Sequence, residues 1–173
     1  MPESDEINKL FEYSITMDSI DDAEDLFVIS KDRILDINHW HNLSPDLNAV
    51  FYITDNRGKS LHRTAHKNDH IKITLPGQDG GSRWMRISHI VYDDYPDVNI
   101  EAFSIGLIPE ISPEATEQQG ISENDNNEIF ILMTERHITK LITSLSATTS
   151  ANDDYMPINW ETFLYSLLNT DNS

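Results

Sequence analysis

Residues 159–168, near the end of the chain, read N-W-E-T-F-L-Y-S-L-L. The large apolar side chains of this stretch recur at the spacing of one face of an amphipathic helix: Trp160, Phe163, Leu164 and Leu167. Asn159 is a favoured N-cap, and Glu161 places a negative charge in the first turn. Because an isolated helix of about twelve residues is marginal in water, its stability must come from packing. The sequence therefore predicts a C-terminal helix over 159–170 that lies on a partner surface.

Alternating apolar and polar residues predict that partner surface. Every second residue of 10–17 is apolar, and two of these are aromatic, a pattern typical of a half-buried strand. Similar or β-branched runs predict six more strands, at 49–54, 70–75, 84–92, 99–108, 129–134 and 138–147. The faces that would meet the helix carry Ile71, Ile73, Met85, Ile87, Phe103 and Ile105.

Two short helices are expected after the first strand. Ser19 is a favoured N-cap, acidic residues follow it in the first turn, and the next apolar residues are spaced at three to four. Ser30 is expected to cap a second helix that carries Ile34, Leu35 and Ile37 and ends near Trp40. This region therefore joins the first strand to the other six.

The length of 173 residues predicts one domain over 1–173. Residues 110–128 contain six acidic residues and neither a basic nor an aromatic one. Such a segment lacks the apolar content to offset its ordering entropy. We therefore expect 110–128 to be an acidic, flexible loop within the domain.

The order of these elements predicts an α+β fold: a curved antiparallel sheet of about seven strands, two short helices after the first strand, and a C-terminal helix packed on the sheet. This order resembles the START-like (SRPBCC) helix-grip superfamily, whose curved antiparallel sheet wraps around a C-terminal helix. The resemblance is topological and covers about residues 10–168. A small β-barrel with peripheral helices is the alternative architecture.

A second resemblance rests on short segments. The chain is similar to a family of small acidic bacterial proteins in residues 37–41 (I-N-H-W-H), 68–77 (N-D-H-I-K-I-T-L-P-G), 84–87 (W-M-R-I) and 158–160 (I-N-W). Where that family usually has glycine and aspartate before the histidine, this chain has Asn68 and Asp69, which also suit a turn. The family resemblance implies no activity.

Composition restricts the partners. The formal net charge of −18 repels nucleic-acid phosphates and anionic lipid surfaces, so neither is an expected partner. The chain has no cysteine, which excludes thiol nucleophiles and thiolate metal sites. Residues 1–8 lack a basic and apolar leader, and no apolar run reaches the roughly 18 residues that span a bilayer. The cytoplasm is therefore the expected location, and no oligomeric state is indicated.

The charge is unevenly distributed. Residues 57–86 hold seven of the twelve basic residues and only two acidic ones, so this basic segment carries about +5 and the remainder about −23. The segment is the one place where an anionic ligand would be favoured. Neutralisation by the protein's own acidic face is the competing interpretation.

Catalytic and metal patterns are weak. His62, His66 and His70 are spaced by four, which on a helix would place them on one face. They fall between Gly58 and a predicted strand, where this spacing has no such meaning. The chain contains no G-x-S-x-G, no G-x-G-x-x-G and no P-loop. The sequence therefore favours a binding protein over an enzyme, and we expect no catalytic residue, no metal and no cofactor.

The favoured function is that of a non-catalytic binding protein holding a small apolar or amphipathic ligand between the sheet and the C-terminal helix. In an extended strand His89 would share a face with Met85 and Ile87, either as a polar anchor in a cavity or as a hydrogen-bonded core residue. The candidate ligand-binding residues are Tyr13, Met85, His89, Phe103, Trp160, Phe163 and Leu167. The alternative is protein–protein interaction, as an accessory or inhibitor subunit without a small-molecule ligand.

Overall fold

The structure is a computed structural model that describes residues 7–75, 83–114, 129–149 and 158–170. These ranges contain seven strands, β1 Ile7–Thr16, β2 Val50–Thr54, β3 His70–Thr74, β4 Arg83–Tyr95, β5 Ile100–Glu110, β6 Ile129–His137 and β7 Lys140–Thr149. The α-helices in the same ranges are α1 Ile20–Leu35, α2 Trp40–Leu43 and α3 Trp160–Leu168. Most of the predicted acidic loop lies outside the described residues, as do residues 76–82.

The strands form one antiparallel sheet in the order β1-β7-β6-β5-β4-β3-β2. This curved, open sheet with a C-terminal helix packed on it confirms the predicted fold class. Within the described ranges β1 and β2 are the two edges and do not pair with each other, so the β-barrel alternative is wrong. No helix in these ranges is long and apolar enough to cross a membrane.

The C-terminal helix seals the core, as its apolar stripe predicts. All four stripe residues are buried: Trp160, Phe163, Leu164 and Leu167. Asn159 caps the helix, because its side-chain oxygen accepts a hydrogen bond from the backbone N–H of Thr162 at 3.4 Å. The helix has nine residues, fewer than expected. Nearly all of its apolar side chains are buried.

Two helices follow β1, but the predicted boundary between them at Ser30 is wrong. α1 is continuous for 16 residues and runs through Ser30, which is fully buried. The Ser30 hydroxyl donates to the carbonyl of Phe27 at 2.9 Å and lies 2.8 Å from the hydroxyl of Thr134 on β6. A serine whose hydroxyl is satisfied in this way is tolerated inside a helix. The second helix is the single turn α2, which begins at Trp40.

The turn between β6 and β7 also differs from the prediction. β6 continues to His137, and the turn consists of Ile138 and Thr139. Ile138 has a φ of +61°, which a β-branched residue rarely adopts. Its backbone N–H donates to the carbonyl of Asn99 at 2.8 Å, so the turn is tied to the connection between β4 and β5.

Candidate functional site

Five of the seven predicted ligand-binding residues lie together in the core. Met85 and Phe103 lie on the sheet face that packs against the helices, and the other three belong to α3. Each is at most 4% exposed: Met85, Phe103, Trp160, Phe163 and Leu167. Their contacts are with the protein's own side chains.

The aromatic cluster beside α3 shows this packing most clearly. The ring of Trp40 lies 4.7 Å from that of Phe163 and 4.9 Å from that of Phe51, and the Phe51 ring lies 5.9 Å from that of Trp160. These are distances at which aromatic pairs attract one another. The side-chain N–H of Trp40 donates to the carbonyl of Arg33 at 3.0 Å, so the polar end of this buried ring is also satisfied.

Tyr13 lies at the margin between β1 and α3. It is half-buried, and its ring meets that of Tyr165 edge to face at 5.2 Å. Tyr165 is partly exposed on the outer side of α3. Tyr13 is therefore the predicted site residue that stands nearest to solvent on the helix side of the sheet.

The expectation that His89 shares a face with Met85 and Ile87 is wrong. The register between β4 and β5 shifts at this point, so that Ile87 pairs with Leu107 whereas His89 pairs with Gly106. Directly paired residues point to the same face of a sheet, and neighbours along a strand point to opposite faces. Because Gly106 and Leu107 are neighbours on β5, His89 lies on the face opposite to that of Ile87, away from the helices. A Cβ on Gly106 would overlap the imidazole, which explains the glycine. Ser88 is the extra residue of this β-bulge.

A concavity opens where β1 meets the start of α3, and we call it the seam. Its volume is about 400 Å³, and its lining is Phe11, Asp46, Asn48, Ile158, Asn159, Trp160 and Glu161. The floor is apolar, formed by buried Trp160 and Ile158 and half-buried Phe11. Of the predicted site residues only Trp160 lines the seam.

The polar rim of the seam is held by backbone and side-chain hydrogen bonds. The backbone N–H of Asn159 donates to the carbonyl of Leu47 at 2.8 Å, and its side-chain amide donates to the carbonyl of Asp46 at 3.3 Å. The Asp46 and Glu161 carboxylates both line this rim. The seam therefore combines an apolar floor with a negatively charged mouth.

A second concavity lies among the connections at the β2 edge of the sheet, and we call it the histidine pocket. Its volume is about 420 Å³. Its lining is Asp36, Asn38, His39, His41, Asn42, Tyr52, Ser60, His62, Arg63 and Thr64. No pattern in the sequence places these three histidines together, because they come from the connection after α1, from α2 and from the segment between β2 and β3.

Asn38 fastens the walls of the histidine pocket to each other. Its side-chain amide donates to the carbonyl of Leu61 at 2.7 Å, and its side-chain oxygen accepts from the backbone N–H of Ile53 at 2.7 Å. On the same wall the backbone N–H of Ala65 donates to the carbonyl of Leu35 at 2.9 Å. These bonds connect α1, β2 and the following loop.

Charged side chains around the histidine pocket are partly paired. Arg63 donates two hydrogen bonds to the carboxylate of Asp69, at 2.7 and 2.9 Å, and this interaction raises the pKa of Arg63. His39 lies 2.8 Å from Asp36 through its Nδ1 atom. By contrast, Nδ1 of His41 is buried and has no hydrogen-bond partner in the part of the chain that the structure describes.

The histidines that sequence spacing grouped do not come together. His62 and His66 lie in the loop before β3, whereas His70 begins β3 and its Nδ1 lies 2.7 Å from a carboxylate oxygen of Glu110. In the described ranges no three histidine, aspartate or glutamate side chains are placed to hold a metal ion.

Comparison with known proteins gives similarity in fold at very low sequence identity. Norcoclaurine synthase from Thalictrum flavum is 8% identical with a TM-score of 0.44, over 94% of this chain and 86% of that one. A hypothetical protein from Helicobacter pylori is 9% identical with a TM-score of 0.49, over 92% of this chain and 86% of that one. Major latex-like protein 151 from Panax ginseng is 12% identical with a TM-score of 0.40, over 93% and 92%. No family model and no curated protein matches the sequence. Similarities of this size carry no function over to this chain.

Proposed function

We propose that this protein is a non-catalytic binding protein that holds a small amphipathic molecule between the sheet and α3, in the seam. The observation that carries the proposal is the position of this 400 Å³ concavity, at the place where β1 meets the start of the helix. Its volume lies within the range of about 300–1,000 Å³ that small-molecule sites occupy.

The lining determines the chemistry of the ligand. An apolar body would lie against Phe11, Ile158 and Trp160, and a polar group would lie at the rim. Because the Asp46 and Glu161 carboxylates line that rim, they favour a neutral or cationic polar group and repel an anionic one.

The predicted site residues then have two roles. Trp160 contacts the ligand from the floor of the seam, and Tyr13 lies beside it at the margin of the sheet. Phe163 and Leu167 hold α3 in place from beneath, together with Met85 and Phe103 on the sheet. His89 has no part in this site because the bulge at Ser88 turns it to the other face.

The composition of the seam supports binding without catalysis. Its described lining contains no serine, threonine, lysine or histidine, so its ionisable side chains are the carboxylates of Asp46 and Glu161. The two carboxylates come from different elements, on the loop after α2 and in the first turn of α3. Their simplest role is to select the charge of the ligand.

The test uses N-phenyl-1-naphthylamine, a neutral amphipathic molecule whose fluorescence rises in apolar surroundings. Phe11→Ala removes an apolar wall, and Glu12→Ala is its matched control because Glu12 is exposed on the same strand. We expect saturable binding to the wild type and the control, and about tenfold weaker binding to Phe11→Ala, equivalent to about 1.4 kcal/mol. Equal binding by the two variants, or none by the wild type, would contradict the proposal.

A second candidate function, recognition of a protein partner, is favoured by the opposite end of the sheet. Tyr95, Val98 and Ile138 are each more than half exposed there, and the bond from Ile138 to Asn99 joins the two connections that carry them. Exposed acidic residues surround this apolar tip: Asp93, Asp94 and Asp97. Such a surface suits a basic partner with an apolar anchor. Native mass spectrometry of protein purified from its own host would separate the candidates by the mass that accompanies the chain.

A further inference from the structure

We propose that the histidine pocket is a second binding site, specific for a small organic oxyanion such as a carboxylate or a phosphate ester. This site shares no lining residue with the seam and does not depend on the function proposed for it. Its volume of about 420 Å³ lies in the range of about 300–1,000 Å³ that small molecules occupy.

The lining is rich in groups that donate hydrogen bonds. Three imidazoles, the hydroxyls of Tyr52, Ser60 and Thr64, and the amide of Asn42 all line the concavity. Oxyanions are recognised by such convergent donors, which are stronger when the donor is charged. Hydroxyls, the amide and neutral imidazoles can also accept, whereas Arg63 and a protonated imidazole only donate, so an oxyanion is the ligand that would use all of these donors.

The charges of the lining residues also favour an anionic ligand. Asp36 is the single carboxylate among the residues that line the pocket, and His39 already holds one of its oxygens. Arg63 is held by Asp69, so its guanidinium is fixed at the wall rather than free to swing into solvent. The wall formed by residues 60–64 also lies inside the basic segment, where the sequence carries about +5 in a chain of −18. An anion is therefore expected to be repelled less here than at an acidic part of the surface.

His41 supplies an independent observation. Among the described residues its Nδ1 atom has no hydrogen-bond partner and is buried, although the ring is only half-buried and lies 6.0 Å from that of Tyr52. Buried polar atoms nearly always have a partner. A ligand oxygen bound at this wall would supply the missing partner, directly or after the ring turns over.

Affinity for an oxyanion should rise as the pH falls, because histidine gains its positive charge between about pH 8 and 5. The titratable and charged groups that face these imidazoles are Asp36 from the end of α1, Tyr52 from β2 and Arg63 from the loop after β2. Arg63 keeps its charge throughout this interval, because its hydrogen bond to Asp69 raises its pKa further.

The experiment follows backbone amide shifts by NMR while sulfate or benzoate is added, at pH 6 and pH 8. Both anions keep a constant charge over this interval, and sodium chloride at equal ionic strength is the blank. The tested variant is His39→Gln with His62→Gln, two exposed residues whose replacement should not disturb folding. The control is His66→Gln, an exposed histidine of the same loop that does not line the pocket.

We expect saturable shifts at residues 36–42 and 60–64 at pH 6, and weaker binding at pH 8. Each imidazole removed should weaken binding at pH 6 about fivefold, the factor that corresponds to about 1 kcal/mol between charges 4 Å apart in water. The anion that binds more tightly identifies the ligand as phosphate-like or carboxylate-like. Shifts that match the chloride blank, or that weaken equally in His66→Gln and the double variant, would overturn the proposal.

Discussion

The seam and the histidine pocket have nearly the same volume but differ in the charges of their lining residues. The seam has an apolar floor that belongs to the core, and two carboxylates at its mouth. The residues that line the histidine pocket are polar or ionisable and include three imidazoles and a guanidinium, although carbon atoms contribute most of its surface. The net charge of −18 is a property of the whole chain. It does not determine which ligand charge either concavity would favour.

The two regions are also supported differently. The seam depends on hydrophobic burial, because Trp160 and its aromatic neighbours form both the floor and part of the core. The histidine pocket depends on a few hydrogen bonds between connections, chiefly those of Asn38. Burial of an aromatic side chain is worth several times one hydrogen bond, so substitutions in the two regions should differ in cost.

Trp160→Ala should have the largest effect. Removal of a fully buried aromatic side chain costs about 3–5 kcal/mol, and the indole packs against three other rings. Chemical denaturation of the variant beside the wild type measures this loss. The control is Tyr165→Ala on the exposed side of α3, which should cost much less. A loss below about 0.5 kcal/mol, the value typical of surface sites, would show that α3 does not seal the core.

Asn38→Ala should have an intermediate effect on stability. It leaves the N–H of Ile53 and the carbonyl of Leu61 without their side-chain partner, which costs about 1–3 kcal/mol when such groups stay buried. The same change should loosen the histidine pocket and speed amide exchange at Ile53. Asn42→Ala, an exposed residue of the same pocket, is the control. Equal stability of the two variants would mean that Asn38 does not fasten the walls.

Acidification should have the smallest effect of the three changes. It should break hydrogen bonds only in the turn that leads into the histidine pocket. Backbone N–H groups of Lys59 and Arg57 donate to the Asp55 carboxylate at 2.9 Å each and lower its pKa below the ordinary value of about 3.9. Because the folded-state pKa is depressed, these bonds persist above that value and are lost as the pH falls through the lower pKa. NMR titration of the Lys59 and Arg57 amide shifts measures the midpoint.

In Asp55→Asn those amide shifts should no longer follow the pH, because the side chain cannot titrate. A midpoint in the wild type at or above about 3.9 would contradict the hydrogen bonding seen in the turn.

The fold could be predicted because its main signals are local. The stripe of α3, its Asn159 cap and the alternation in the strands depend only on neighbouring residues, and the structure confirms each. The errors came from contacts distant in sequence. Ser30 has the propensity of a cap, but Thr134 on β6 satisfies its hydroxyl inside a helix. The face of His89 depends on a bulge that only the register with β5 reveals.

The two concavities could not be predicted for the same reason. Phe11 and Glu161 meet in the seam although 150 positions separate them in the sequence. The histidine pocket is formed by three connecting segments. The spacing of apolar residues predicts helices and strands but not the course of such segments. The basic segment is visible in the sequence, but its proximity to His39 and His41 depends on how Asn38 holds the loop after β2 against the end of α1.

The pairing of β1 with β7 has a consequence for how the chain folds. Tyr13 is directly opposite Thr143, so the first strand of the sheet finds its partner only 130 residues later. At a synthesis rate of about 5–20 residues per second, roughly 7–26 s separate the emergence of these two residues from the ribosome. During that interval β1 has its apolar face and both backbone edges uncovered, while the hairpin of β4 and β5 can close as soon as it emerges. Folding should therefore begin in the middle of the sheet and finish at the edge that borders the seam.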